Sequence, residues 1–323
     1  MSTKPSSKRR YRLRNWRDYN AALVRRGSLT LWIDAAAVAG WAAGGRPGRR
    51  GRPPVYSDLA ITVLLTLKAI YHLTLRSTEG FATSVFALLG VRLRVPDFST
   101  LSRRERTLDV ALPVRPVTAP LSWVIDSTGL KIYGEGEWKV RQHGWTRHRR
   151  WLRLHLAVDA ATGELRSLGA STNDVSDPEM LPSMLAAERA PLRQVTGDGI
   201  YDQWSCWDAV AARPERPRAV FPPPRPRTGP KRARIRQHGN SAGAPLDRDT
   251  AIRYIRAVGR AAWKRAVGYH QRSLAETAVW RWRCFFGDHV HARTTERQCT
   301  EIFICGRAFN RMTALGMPDS YAV

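Results

Sequence analysis

Hydrophobic residues recur with helical spacing in the first third of the chain. Ser57 is suited to an N-cap, and apolar side chains from Leu59 to Ile70 follow it at positions that a helix would bury. A second helix is expected over Phe81 to Leu89, and Ser99 can cap a third. The pattern therefore predicts a small all-helical domain over residues 56–115.

The pattern changes after the prolines at residues 112–120, which we interpret as a domain boundary. Short apolar runs with alternating positions then predict three strands, of which the first ends in Asp126 and the second covers Trp151 to Asp159. A helix and a fourth strand, which ends in Asp198, follow. This order predicts a mixed α/β domain over residues 116–323.

The charge balance indicates a polyanionic partner. The 323-residue chain carries 53 Lys and Arg against 27 Asp and Glu, which gives a formal net charge of +26. Because the excess is spread along the whole chain, it favours nucleic acid over a membrane surface as the partner. A basic surface that is merely solvated is the alternative.

Two basic segments lack any apolar periodicity. The first, residues 1–55, includes a stretch rich in Gly, Arg and Pro, and we expect it to be a flexible arm. The second, residues 222–245, combines prolines with Arg and Lys and contains no acid. Such a segment cannot bury a core of its own, so we interpret it as a loop that contacts DNA phosphates.

The arginines of the third predicted helix suggest how DNA is recognised. Three short helices with Arg103 and Arg104 on the last one are typical of a helix-turn-helix arrangement, in which the final helix enters the major groove. A small helical bundle with an ordinary charged face is the alternative.

Three acids are candidates for phosphodiester chemistry. Cleavage with two metal ions requires carboxylates that come from separate elements. Asp126 and Asp198 each follow a predicted strand, and their carboxylates leave the sheet at the same edge if these strands are neighbours. Glu276, on a later helix, can complete the set. Each acid alone is more often a turn former or a helix cap, so the argument depends on the whole set.

Three segments resemble the motifs of a known family, the DDE transposases of the insertion-sequence-four and insertion-sequence-five superfamily. The segment from Val124 to Lys131 is similar to the first acidic motif, and the segment from Val195 to Asp202 is similar to the second. The third motif has a Tyr, an Arg, a Glu and a basic residue at fixed spacing. It is matched by Tyr269, Arg272, Glu276 and Arg283. The likeness covers nearly the whole chain.

This resemblance implies a fold, an activity and a set of partners. The expected fold is an RNase-H-like mixed sheet flanked by helices and preceded by the small helical domain. Asp126, Asp198 and Glu276 would be the catalytic residues and would hold two Mg²⁺ ions, with Mn²⁺ able to substitute. The protein would bind the terminal inverted repeats of its insertion sequence, cleave them and join the freed 3′-hydroxyl to target DNA. Two ends imply a homodimer or a larger active assembly.

Further residues are expected to contact DNA. Arg283 stands where many relatives have Lys, which keeps the positive charge but offers a planar, bidentate donor. Arg272 and Arg283 would lie near the Glu276 face of a continuous helix. Tyr269 would offer its ring to the DNA end, with core packing as its alternative role. Cations and aromatic residues also alternate between the first two acids, which suits a distorted or single-stranded end. The arginines there are Arg147, Arg149 and Arg150.

Two other functions stay open at this point. A repressor or a decayed transposase would share the charge but would gain nothing from converging carboxylates. A metal-dependent nuclease of the same fold would cleave without joining. The histidines lack the HExxH spacing and the cysteines lack a CxxC pair, so zinc is not expected. The chain has no leader pattern and no run of 18 apolar residues, so we expect a cytoplasmic, nucleoid-associated protein without a membrane partner.

Overall fold

The computed structural model describes residues 11–44, 55–132, 151–224 and 247–323. The strands in this part of the chain are β1 (Tyr11–Leu13), β2 (Leu121–Ile132), β3 (Trp151–Asp159), β4 (Leu165–Thr172), β5 (Leu192–Thr196), β6 (Arg218–Val220), β7 (His289–Val290) and β8 (Ser320–Ala322). The helices are α1 (Trp16–Arg25), α2 (Leu29–Trp32), α3 (Ala35–Ala39), α4 (Asp58–Ile70), α5 (Leu75–Leu88), α6 (Phe98–Glu105), α7 (Asp177–Ala187), α8 (Trp204–Ala211), α9 (Asp247–Val258), α10 (Arg260–Ala266), α11 (Ser273–Phe286) and α12 (Thr295–Leu315). Two 3₁₀ turns, Gly199–Tyr201 and Tyr269–Arg272, precede α8 and α11.

A six-stranded mixed sheet forms the centre of the molecule. Its strand order is β4-β3-β2-β5-β6, and the short β7 pairs with the far end of β2. β2, β3 and β4 are antiparallel neighbours, whereas β5 is parallel to both β2 and β6. This arrangement confirms the expected fold class and is consistent with an RNase-H-like fold. The predicted order of three strands, a helix and a further strand is confirmed as well.

The two faces of β2 are buried against different helices. Trp123 and Ile125 point to one side, where α7 and α8 cover the sheet. Val124 and Leu130 point to the other side, where α11 and α12 lie. Because side chains alternate along a strand, Asp126 shares the face of Val124 and points towards α11.

The helices α4 to α6 and the sheet share one core. Leu64 on α4, Leu154 on β3 and Phe309 on α12 are fully buried in a single continuous cluster. The boundary expected at residues 112–120 therefore does not divide two separate cores. The physical reason is that α12 presents apolar side chains both to α4 and to the sheet.

Residues 11–44 are folded, which differs from the flexible arm expected over residues 1–55. Trp32 and Trp41 are buried, and the Trp41 indole N–H donates to the Arg94 carbonyl at 2.8 Å. β1 also pairs with β8 at the other end of the chain. The apolar residues of this segment show no regular period in the sequence. They enter a core that is supplied by distant elements, so the segment's own pattern does not predict their burial. Residues 1–10 and 45–54 lie outside the described residues.

One of the two predicted N-cap residues is confirmed, and the other is wrong. Ser57 caps α4 by accepting from the Ala60 N–H at 3.0 Å, as predicted. α6 instead begins one residue before Ser99, and its cap is Asp97, which accepts from the Thr100 N–H at 2.9 Å. An aspartate and a serine are equally good caps, so the pattern alone does not choose between them.

No single helix among the described residues has the length and apolar composition needed to cross a membrane. α4 and α5 have the necessary length and apolar composition only when they are taken together. The pair is bent by 108° at the break between the two helices.

Candidate functional site

Neighbouring parallel strands bring Asp126 and Asp198 to equivalent positions. In the register of β2 and β5, Val124 lies opposite Thr196, and each acid follows two residues later. β5 ends at Thr196, whereas β2 continues to Ile132. Asp126 therefore lies within its strand and does not end it, which corrects the expectation. The expected adjacency of the two strands is confirmed.

Gly197 allows the turn that carries Asp198 to approach β2 closely. A Cβ atom at this position would lie 2.8 Å from the Tyr201 ring and 3.0 Å from Cγ1 of Ile125, closer than carbon atoms pack. The turn is then closed by Asp198 itself, whose Oδ1 accepts from the Ile200 N–H at 2.9 Å. A larger residue in place of Gly197 would push Asp198 away from Asp126.

The surroundings of Asp126 disfavour its negative charge. Burial raises the pKa of this carboxyl, and the charges of Asp198 and Asp177 raise it further. The N–H of Ser127, which donates to Oδ1 at 2.9 Å, and the charge of Arg272 oppose the shift. Two carboxylates that repel each other in a half-buried position would both be stabilised by a positive ion between them.

The donor atoms suit a hard divalent ion. Asp126 and Asp198 each accept a backbone N–H through Oδ1, and the Oδ2 of each accepts no hydrogen bond from the described residues. Carboxylate oxygens are the ligands that Mg²⁺ and Mn²⁺ prefer. These two residues therefore fit the metal that the resemblance implies.

Glu276 stands apart from this pair. It lies in the first turn of α11, its side chain is 52% exposed, and it forms an ion pair with Arg272 four residues earlier. Among the described residues, no group of three or more acidic, His or Cys side chains is close enough to hold a metal ion. The set of three carboxylates stays a prediction, and only its two aspartates are brought together.

Arg283 fastens α11 to β2. Its guanidinium donates to the Thr128 hydroxyl at 2.6 Å, and Thr128 lies two residues beyond Asp126 on the same face of β2. An offset of seven residues puts Glu276 on the same side of the helix as Arg283. The bond therefore keeps the Glu276 face of α11 turned towards β2. Thr128 was missed as a functional residue, although it belongs to the first acidic motif.

Beneath this contact, α11 is held by a buried arginine that the sequence analysis did not single out. The Arg281 guanidinium lies 4.2 Å from the Phe309 ring centre and donates to the Thr313 hydroxyl at 2.8 Å. Burial lowers the pKa of Arg281 to about 10. Arg281 therefore joins α11 to α12 from the side of the helix that faces the core.

Tyr269 is largely buried in a small cluster beside the acids. Its ring packs against Trp263 with centroids 6.1 Å apart, and the Lys264 ammonium lies 4.4 Å from its centroid. Burial raises the pKa of Tyr269, and the charges of Asp198 and Asp126 act in the same direction. The ring therefore packs in this cluster close to both aspartates, and its contact with DNA stays a prediction.

A further contact that the sequence analysis missed fixes the far end of the turn that carries Asp198. Both carboxylate oxygens of Asp202 accept from Arg248, at 2.8 and 3.0 Å, and the Trp207 indole N–H donates to the same carboxylate at 2.9 Å. Bidentate pairs of this kind are geometrically restrictive. Asp202 lies in the second acidic motif, which is the signal that could have identified it.

The other arginines that were predicted to contact DNA differ from one another in their surroundings. Arg104 pairs with Asp58 and donates to the Tyr56 carbonyl at 3.0 Å, so it holds α6 against α4. Arg103 is exposed and donates to the Thr100 hydroxyl at 3.0 Å. Outside the described residues lie Arg147, Arg149, Arg150 and most of the 222–245 loop.

A buried histidine on β3, the neighbour of β2, makes stability depend on pH. His155 on β3 is 1% exposed, its Nε2 lies 2.7 Å from the Ser171 hydroxyl, and its Nδ1 lies 3.4 Å from Asp177 without hydrogen-bond geometry. Burial lowers the pKa of His155 to about 4, against about 6.5 in an unfolded chain. Between these values the unfolded state binds a proton that the folded state does not. Stability is therefore lost as the pH falls from about 6.5 to about 4.

The variant His155→Gln tests this assignment. We expect its free energy of unfolding to decrease less than that of the wild type over the same pH interval, because Gln cannot take up the proton. Urea unfolding at a series of pH values measures the difference between the two proteins. Parallel profiles would show that His155 does not titrate in this way.

Two family models match the chain. Both are described as a transposase DDE domain, and they match residues 24–135 and residues 122–311. The second match covers more than half of the chain and includes Asp126, Asp198 and Glu276. No solved structure matches the chain.

Proposed function

Because the chain belongs to the family of transposases with a DDE domain, we propose that it binds the terminal inverted repeats of its insertion sequence and catalyses DNA strand cleavage and strand transfer. The assignment to the insertion-sequence-four and insertion-sequence-five superfamily is compatible with this family. The observation that carries the proposal is the parallel register that brings Asp126 and Asp198 to the same level of neighbouring strands.

The proposed metal site uses Asp126, Asp198 and Glu276. Members of the family generally depend on divalent metal ions, and the free Oδ2 atoms of the two aspartates are suitable ligands. We propose two Mg²⁺ ions, with Mn²⁺ able to substitute. Such ions, held by these carboxylates, would activate a water or a 3′-hydroxyl and would stabilise the leaving oxygen.

The chain's own residues prepare this site for DNA. Arg272 pairs with Glu276, and its charge also reaches Asp126. We propose that a DNA phosphate draws the Arg272 guanidinium away and so releases Glu276 towards the aspartates, while Arg283 holds α11 on β2. Asp202 and Tyr269 keep the Asp198 turn and its surroundings in place.

DNA affinity would come from several surfaces. The exposed Arg103 on α6 is the candidate for repeat recognition, whereas Arg104 positions that helix. Phosphate contacts that do not depend on sequence would come from the 222–245 loop and from Arg147, Arg149 and Arg150. Two ends held together require a homodimer or a larger assembly.

A strand-transfer assay tests the proposed function. The protein is mixed with Mg²⁺, a pre-cut DNA end that exposes its 3′-hydroxyl, and a supercoiled plasmid. We expect joined products that contain both DNAs. Cleavage without joined products would support the alternative, a nuclease of the same fold. Binding without cleavage or joining would support a non-catalytic DNA-binding protein.

A further inference from the structure

A large groove lies beside the far end of the catalytic strand, between α5 and α6 on one side and β7 and α12 on the other. Its volume is about 1130 Å³. We call it the cationic groove because of the described side chains that line it, which include Arg76, Phe98, Arg103, His289, Arg293 and Arg297.

Two acids also line the cationic groove, and the Lys68 ammonium lies near both of them. The carboxylate of Glu105 lies 3.8 Å from the Lys68 ammonium. Glu301 accepts from the backbone N–H groups of His291 and Ala292, at 3.0 and 2.8 Å. Five Lys and Arg side chains among the described residues line the groove against these two acids, so its charge is positive and favours an anion.

One rim of the cationic groove offers a place for a base to stack. Phe98 is 37% exposed, and the Arg76 guanidinium lies 4.4 Å from its ring centre. The Phe98 N–H donates to Glu79 at 2.8 Å, which fixes the start of α6. An exposed aromatic ring beside an arginine is the combination with which proteins hold unpaired nucleotides.

A buried donor in the groove also lacks a partner. The Nε of Arg297 is inaccessible to solvent and makes no hydrogen bond within the described residues. Arg297 nevertheless lines the groove, so its positive charge adds to the attraction for an anion.

A DNA strand of a few nucleotides can span the distance between the proposed catalytic acids and the cationic groove. Its floor includes Leu130 and Ile132, four and six residues beyond Asp126 on β2. At a rise of about 3.3 Å per residue these positions lie roughly 13 and 20 Å from Asp126. Because α11 covers β2 between these places, a DNA strand passes around the helix, and at about 3.4 Å per nucleotide it needs at least roughly four nucleotides.

We propose that the cationic groove binds an unpaired stretch of the DNA strand, at least roughly four nucleotides from the phosphate that is cleaved at Asp126. The inference rests on the proposed function, since it takes DNA as the substrate. The groove is only slightly larger than pockets for drug-sized ligands, so it accommodates a few nucleotides and excludes a duplex. It therefore adds a single-strand site beside α6, whose exposed Arg103 borders both the groove and the surface proposed for the repeats.

Equilibrium binding in the presence of a metal chelator tests this proposal without requiring cleavage. The two probes are a short duplex with the sequence of the DNA end and the same duplex with an unpaired flank. We expect the full chain to bind the flanked probe more tightly. Phe98→Ala should weaken binding of the flanked probe about tenfold and change duplex binding less than about twofold, because one stacked base is lost.

Three further variants complete the experiment. Phe98→Trp should keep the preference for the flanked probe, because Trp also stacks. Arg76→Ala combined with Arg297→Ala should reduce the preference, whereas the exposed Arg189→Ala, on the opposite side of the sheet, should not. Thermal unfolding of each variant checks that it is folded.

Equal affinity of the wild type for both probes would overturn the groove assignment, and so would an equal loss on both probes in Phe98→Ala. Neither result would affect the cleavage and joining on which the proposed function depends. A protein that prefers the flanked probe but never cleaves would contradict the proposed function and leave the groove assignment intact.

Discussion

Replacing Asp126 with Asn is expected to lower the rate of DNA end cleavage at least ~1000-fold, which corresponds to about 4 kcal/mol of lost transition-state stabilisation. Asn has nearly the shape of Asp but carries no negative charge, so it cannot complete a site for two divalent ions. Affinity for the DNA end should not fall, because a negative charge next to the phosphates disappears. Single-turnover cleavage and a separate binding titration measure the two quantities.

The same loss is expected for Asp198→Asn, since the two aspartates occupy equivalent positions on neighbouring strands. Asp18→Asn is the matched control, because Asp18 is an exposed acid on α1. Its cleavage rate should stay within about twofold of the wild type, as for most surface substitutions. Cleavage at the wild-type rate by either strand variant would remove that residue from the site.

Replacing Phe309 with Ala is expected to lower the free energy of unfolding by about 3–5 kcal/mol. Phe309 is fully buried on α12, where it packs against Phe285 at a centroid distance of 6.2 Å and lies beneath the Arg281 guanidinium. Truncation leaves a cavity in the cluster that α4 to α6 share with the sheet. Denaturant unfolding measures the loss. Because that core is shared, the signal from helical structure and the signal from tertiary structure should change in one transition.

Trp280→Ala provides the matched control for this prediction. Trp280 is an aromatic residue on α11, but 65% of its side chain is exposed. Its replacement should change stability by about 0.5 kcal/mol or less. Two separate transitions in Phe309→Ala, of which only one is shifted, would show that the helices and the sheet do not share a core.

The central sheet was predictable because its strands carry their own signal. β2 to β5 are long enough for alternation or an apolar run to be visible, and their order determines the mixed α/β class. β6 and β7 have three and two residues, too few for any period. β1 pairs with β8 across almost the whole chain, which no local pattern can indicate.

The N-terminal segment illustrates a different limit. Its many arginines and glycines predict a flexible arm, yet Trp32 and Trp41 are buried. Their burial depends on α4 and on other segments that are close in space but distant in the sequence. Basic composition describes the exposed side of residues 11–44 and does not reveal that the other side is packed.

The sequence predicted the two aspartates of the candidate site and their adjacency. It predicted the side-chain contacts of the helix that carries Glu276 less well. The acidic motifs identify Asp126 and Asp198, and the strand register brings them together. For Glu276 the helix and its spacing were predicted, whereas the ion pair with Arg272 depends on side-chain conformation. Sequence spacing could indicate that Arg283 lies on the Glu276 side of α11, but not that it bonds to Thr128.

The measurement that most directly tests the central claim is a titration of the protein, bound to its DNA end, with Mn²⁺. The wild type is compared with Asp126→Asn, Asp198→Asn and Glu276→Gln, and bound ions are counted by electron paramagnetic resonance. The account predicts two bound ions in the wild type and weaker or fewer ions in each variant. Wild-type binding of Mn²⁺ by all three variants would contradict it.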